Sequence, residues 1–151
     1  MMNERQKSKL MDYLLGTLEL FIGVSALAGG FGLISDPSGI KMNLQTEWLT
    51  GSPFSNYLIP GIVLLTVIGF GNFFASIAAF FHRGSAKFPA VYLGFFLILF
   101  LIVEIWTVGY KNPLQPIFFI LGAVQLAFGL KVQKIIKTES GGSAEQAVYH
   151  S

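Results

Sequence analysis

The sequence predicts an all-α membrane protein, an antiparallel bundle of four transmembrane helices with N and C termini in the cytoplasm. Three observations carry that expectation. Four apolar segments approach the ~20 residues needed to cross a bilayer core. The charged residues are gathered between them. The lysines and arginines fall almost entirely on one side. Hydrophobic residues make up 53% of the 151 and charged residues only 12%, about half the charged share of an average soluble domain. A long apolar window with almost no charge is read as a spanning helix, because hydrocarbon offers backbone groups no partners.

The segments are 13–34, 57–81, 90–110 and a shorter one from 114. The first three can cross a core of ~30 Å at 1.5 Å per residue. The fourth reaches that length by continuing through Val132, Ile135 and Ile136 to 136, its Lys131 and Lys134 snorkelling to the headgroups. Breakers separate the segments: Asp36-Pro37-Ser38-Gly39, Arg83-Gly84-Ser85 and Lys111-Asn112-Pro113. Pro113 and Pro116 suit a first helical turn, where no amide donor is required. These boundaries make residues 1–137 one transmembrane domain and 138–151, with Ser140-Gly141-Gly142-Ser143, a polar disordered cytoplasmic tail.

Orientation follows from the basic residues. Arg5, Lys7, Lys9, Arg83, Lys87, Lys131, Lys134 and Lys137 fall on one side. Lys41 and Lys111 fall on the other, so the chain's 10 divide eight to two. The richer side is cytoplasmic. The basic start, the apolar run and Ala26-Leu27-Ala28 imitate a signal peptide. Glu19 inside that run, and its continuation to Ile34, favour a retained helix instead. The outer loop, 35–56, is the one sizeable segment outside the bilayer. Trp48, Leu49, Phe54 and Tyr57 suit it to the bilayer surface or to capping the bundle.

Some functions are excluded early. There is no cysteine, so thiolate metal sites and disulfide exchange are ruled out. Two histidines, His82 and His150, make a histidine-ligated haem or metal centre within one chain improbable. A net charge of +2 does not suggest nucleic acid. No nucleophile–base pair, metal set or phosphate cradle is visible, so an enzyme ranks last and neither metal nor cofactor is expected. His82 beside Arg83 suits a helix C-terminus at the headgroups.

Polar residues inside the apolar runs are the pointers to a site: Glu19, Asn72, Glu104 and Gln125, one per helix. A charge at mid-bilayer costs roughly 2.5–3.5 kcal/mol, so each carboxyl should be neutral, paired or facing water. Glu19 shares a helix face with Gly16, Gly23 and Gly30, which recur every seven residues. Gln125 stands likewise between Gly122 and Gly129, and 15–23 matches 121–129 at four of nine positions. That echo fits an inverted helix duplication or chance. Small residues let backbones approach, and a carboxylic acid facing an amide can hydrogen-bond across the contact.

Asn72 shares its face with Gly69, Ser76 and Ala79. Glu19, Asn72 and Gln125 lie at similar depth, ~9–14 Å from the cytoplasmic ends, which predicts one polar cluster. Glu104 lies ~20 Å in, nearer the outer surface. Its expected neighbours are Thr66, Thr107 and Gln115 under the Trp48 loop. A separation of ~10 Å in depth is too great for the two glutamates to share a proton.

The layout resembles the DoxX-like family of small bacterial four-helix membrane proteins. The resemblance is carried by Gly32-Leu33-Ile34-Ser35-Asp36-Pro37-Ser38-Gly39 and by Ser52-Pro53-Phe54-Ser55-Asn56-Tyr57-Leu58-Ile59-Pro60-Gly61, and it spans about 14–130. It implies a multi-pass protein of the bacterial inner membrane and, from some relatives, quinone-linked chemistry. No active-site residue carries over. Two functional readings follow. The first is a non-catalytic membrane component, using its glycine faces to pack against a partner or another copy of itself. The second is a small transporter or a lipid- or quinone-binding protein with Glu104 in a cavity open to the outside. They are separated by whether Glu104 faces a pocket or a filled interior.

Overall fold

The structure is a computed structural model that describes residues 3–81 and 87–149, with the backbone alone at 4, 5, 87, 88 and 132–149. The turn at Arg83-Gly84-Ser85, and both histidines, lie outside the described residues. All regular structure in the described residues is helical: α1 (Glu4–Ser35), α2 (Leu58–Phe80), α3 (Lys87–Val108) and α4 (Leu114–Tyr149). Each contains a stretch long and apolar enough to cross a membrane.

α1 and α4 outrun their apolar segments, whereas α2 keeps within its own and α3 is shifted toward its start. α1 begins at Glu4 rather than 13, because Gln6 accepts the Asn3 amide at 3.1 Å and secures the first turn. α3 begins at Lys87 and stops at Val108, where Gly109 turns left-handed with φ +80°. α4 continues to Tyr149 through the segment expected to be disordered. Glu139, Ala144, Glu145, Gln146 and Ala147 are good helix formers, and the two glycines there cost only about 1 kcal/mol each.

The middle of α2 is not an α-helix. Residues Leu64–Phe70 form a π-helix between the α-helical pieces Leu58–Val63 and Gly71–Phe80. Such widened turns are uncommon and gather at functional sites. Its sequence, Leu64-Leu65-Thr66-Val67-Ile68-Gly69-Phe70, carries no signal that sets it apart from ordinary apolar helix.

α1 packs along α2, and α3 along α4, while the two pairs meet less extensively through α1–α4 and α2–α3. Glycines draw the partners together. A methyl group on Gly23 would lie 2.8 Å from the Phe73 nitrogen, and one on Gly30 2.6 Å from that of Leu65. Gly16 faces Ala79 and Phe80, and Gly61 faces Leu33, so contacts climb α1 as they descend α2. In the second pair a methyl on Gly94 would come within 2.7 Å of the Leu126 nitrogen, and one on Gly129 within 2.9 Å of that of Val91. In lipid the hydrophobic effect does not drive helices together, so such close backbone contact supplies much of the cohesion.

The centre is filled by Ile22, Ala26, Ile68, Leu97 and Leu101. The outer surfaces of the helices are themselves apolar, with Phe31, Phe74, Phe81 and Trp106 all more than 60% exposed. A soluble monomer rarely shows so much exposed apolar area.

The 36–57 segment folds over one end. Asp36 accepts the Ser38 amide and hydroxyl and the Lys41 amide, and Gly39 takes φ +77°. Short 3₁₀ turns follow at Ile40–Met42 and Thr46–Leu49. Tyr57 clasps the segment: its amide donates to Pro37 O at 2.9 Å and its hydroxyl to Gln45 O at 2.8 Å. Leu33, Leu49 and Tyr57 form a second small core there.

Candidate functional site

Two polar groupings occupy the interior. In the first, Glu19, Asn72, Ser76 and Gln125 are each 0% exposed. They come from α1, α2 and α4. The Gln125 amide donates to Asn72 Oδ1 at 2.6 Å, and Asn72 Nδ2 donates to the Ile68 carbonyl of the π-helix at 2.9 Å. Ser76 donates to Phe73 O at 2.7 Å. Glu19 lies beside Gln125, yet neither of its oxygens, nor Gln125 Oε1, meets a donor. Neither cavity described below reaches these residues.

The second grouping lies under the folded loop. Gln115, in the first turn of α4, donates from Nε2 to Glu104 Oε1 and to Gly109 O, both at 3.2 Å. Its Oε1 accepts the amides of Lys111 at 3.1 Å and Asn112 at 3.3 Å. One side chain therefore shapes the α3–α4 turn and holds the glutamate. Gln115 is the sole hydrogen-bond partner of the Glu104 carboxyl among the described residues.

Glu104 also lines two cavities. The larger, about 300 Å³, lies between α2 and α3 beneath Leu44, Leu49, Phe54 and Tyr57. The π-helix residues Leu64, Val67 and Ile68 form one wall and Phe100 and Val103 of α3 another. Its lining is apolar apart from Glu104, Thr107 and Tyr57. The smaller, about 210 Å³, lies between α1 and α4 and shares Leu33, Leu44, Leu64, Ile68, Phe100 and Glu104 with the first. The rim of the larger cavity, at Ile59, Val63, Val67, Phe96, Leu99 and Val103, is exposed on the helix surface. The opening is thus sideways, between helices, and the volume falls at the small end of small-molecule sites.

Sequence reasoning and structure differ in places. Thr66 is exposed and bonded to its own helix at Ile62 O, so it is not a neighbour of Glu104. Thr107 does line the larger cavity, but its hydroxyl is committed to the Val103 and Glu104 carbonyls. Trp48 lines neither cavity. Its ring lies under Lys111 Nζ, 5.4 Å from the centroid, and the adjacent Leu49 takes the buried place because the 3₁₀ turn directs it inward. Tyr57, expected only at the bilayer surface or as part of a cap on the bundle, lines the larger cavity as well, as does the π-helix wall. Tyrosine at a helix start carries no signal of a clasp, and the π-helix has none of its own.

Among the described residues no cluster of three or more His, Asp, Glu or Cys could hold a metal ion. Compared with known protein families, with curated proteins and with solved structures, the chain matches none.

Proposed function

We propose that this chain is a multi-pass protein of the bacterial inner membrane, an antiparallel four-helix bundle with both termini cytoplasmic. Its role in this reading is to bind a lipid-soluble molecule with a small hydrogen-bonding head, of the lipid or quinone class, beside Glu104. The observation that carries the reading is a carboxyl group in the wall of an otherwise apolar cavity that opens sideways between α2 and α3. A carboxyl at such depth is costly and is kept for a reason. An apolar tail would replace the lipid contacts of the cavity walls. A hydroxyl or quinol head would donate to the carboxylate, and a quinone carbonyl would accept from the acid form.

The folded loop bars the direct route from the aqueous side, since Leu49, Phe54 and Tyr57 roof the cavity. Entry would come from the bilayer. The resemblance to DoxX-like proteins points the same way. The alternative, a helix-packing partner without a ligand, draws less support: Gly16, Gly23, Gly30, Gly94, Gly122 and Gly129 are all taken up by contacts within the chain.

The test is a photoactivatable quinone with an isoprenoid chain, added to the protein in proteoliposomes. Crosslinks should concentrate on the cavity walls at Val63, Val67 and Val103 and fall away in Val67→Trp, which fills the opening. Labelling spread evenly over lipid-facing positions such as Phe74 and Trp106, and indifferent to Val67→Trp, would contradict the reading.

A further inference from the structure

The Glu19 grouping has its own chemistry, separate from the Glu104 cavity. Its hydrogen bonds can be oriented by elimination. The Ile68 carbonyl can only accept, so the atom of Asn72 that meets it at 2.9 Å must be the amide nitrogen. That turns Asn72 Oδ1 toward Gln125. The Gln125 atom 2.6 Å away must then be its nitrogen, which leaves Gln125 Oε1 as an acceptor with nothing to accept. Both oxygens of Glu19, beside it, are in the same position. Three buried acceptors, Glu19 Oε1 and Oε2 and Gln125 Oε1, therefore lack a donor, and neither of the two cavities described above reaches them.

Among the described residues Gln125 of α4 stands beside Glu19, and the other buried polar side chains of this grouping, Asn72 and Ser76 of α2, are also uncharged. The Ser76 hydroxyl proton is spent on Phe73 O. Among the described residues no cation stands there to offset a carboxylate. A proton on Glu19 itself supplies the missing donor and needs no added space.

We infer that Glu19 is a proton-binding site, whose resident proton bridges its carboxyl to Gln125 Oε1 and ties α1 to α4 through the amide chain that ends at Ile68 of α2. With the proton in place the series runs Glu19 to Gln125 to Asn72 to the Ile68 carbonyl, each donor meeting an acceptor. It also crosses between the α1–α2 and α3–α4 pairs, whose mutual contact is otherwise slight. Because the folded bundle holds a proton that an unfolded glutamate releases at neutral pH, stability falls as pH rises.

Infrared spectra of the full chain in lipid at neutral pH test this. Wild type minus Glu19→Gln should show one protonated-carboxyl carbonyl band, and the band should persist in Glu104→Gln. Loss of an ionised-carboxylate band in that difference would overturn the proposal. Thermal unfolding in detergent gives an independent reading. Glu19→Gln, an uncharged mimic of the acid that also supplies a donor, should melt as wild type does at neutral pH and should not share its alkaline loss. Glu19→Ala should melt at least about 5 °C lower. If Glu19→Gln fails to fold, or falls as far as Glu19→Ala, a carboxylate rather than a proton holds the helices and the proposal is wrong.

Discussion

The side chains of Gln115 and Glu104, 11 residues apart on successive helices, are joined by a 3.2 Å hydrogen bond. The same amide group of Gln115 closes the backbone turn between those helices. The position of the glutamate and the shape of the turn are therefore one property.

Gln115→Ala should accordingly damage both. It strips the partners from the Lys111 and Asn112 amides and from the Gly109 carbonyl, and it releases the carboxyl. Leaving buried polar groups unpaired costs about 1–3 kcal/mol. Thermal unfolding in detergent should show a drop of several degrees, and quinone crosslinking at the cavity walls should weaken with it.

The glycine seams should be intolerant of even one carbon. Gly23→Ala sets a methyl 2.8 Å from a backbone nitrogen, so the helices must separate, at about 1–3 kcal/mol. Gly51→Ala meets nothing within 4 Å. Its cost comes from φ +89° alone, about 1–2 kcal/mol. The discriminating readout is the second helix. Gly23→Ala should raise hydrogen exchange across α1 and α2, whereas Gly51→Ala should alter only its own loop.

The loop should loosen in acid. The Asp36 carboxyl is held below the usual aspartate range, first by the Ser38 hydroxyl and then by the Lys41 amide. A carboxyl lowered by folding contributes fully above its unfolded value, and that contribution is lost as pH falls through the folded value. Amide resonances of Ser38 and Lys41 should therefore shift together on acidification, with a midpoint below that of an unstructured aspartate. In Asp36→Asn the transition should vanish.

The absence of cysteine makes orientation directly measurable. Ser8→Cys and Thr50→Cys place single thiols at exposed positions on α1 and in the folded loop. A membrane-impermeant thiol reagent on intact cells should label Thr50→Cys and spare Ser8→Cys until the membrane is opened. The reverse pattern would invert the orientation.

The four helices and the turns at Asp36-Pro37-Ser38-Gly39 and Lys111-Asn112-Pro113 were legible because hydrocarbon tolerates little but apolar helix. Heptad-spaced glycines gave away the close faces. Equal depth from the helix ends was enough to bring Glu19, Asn72 and Gln125 together. The π-helix at Leu64–Phe70 was not legible, since it adds about one residue per turn without altering composition. Nor was the cavity, because empty space depends on how four helices splay and not on any residue type. The loop deceived for a related reason. Trp48 is the conspicuous side chain, but which of two neighbours faces inward is settled by a single 3₁₀ turn.

The most direct measurement is of what the purified protein carries. Organic extraction of wild type and of Val67→Trp, followed by mass spectrometry, should recover from wild type about one lipid-soluble molecule with a hydrogen-bonding head per chain and far less from the variant. Recovery of the same lipids in the same amount from both, or of nothing but bulk lipid from wild type, would contradict a binding site at Glu104.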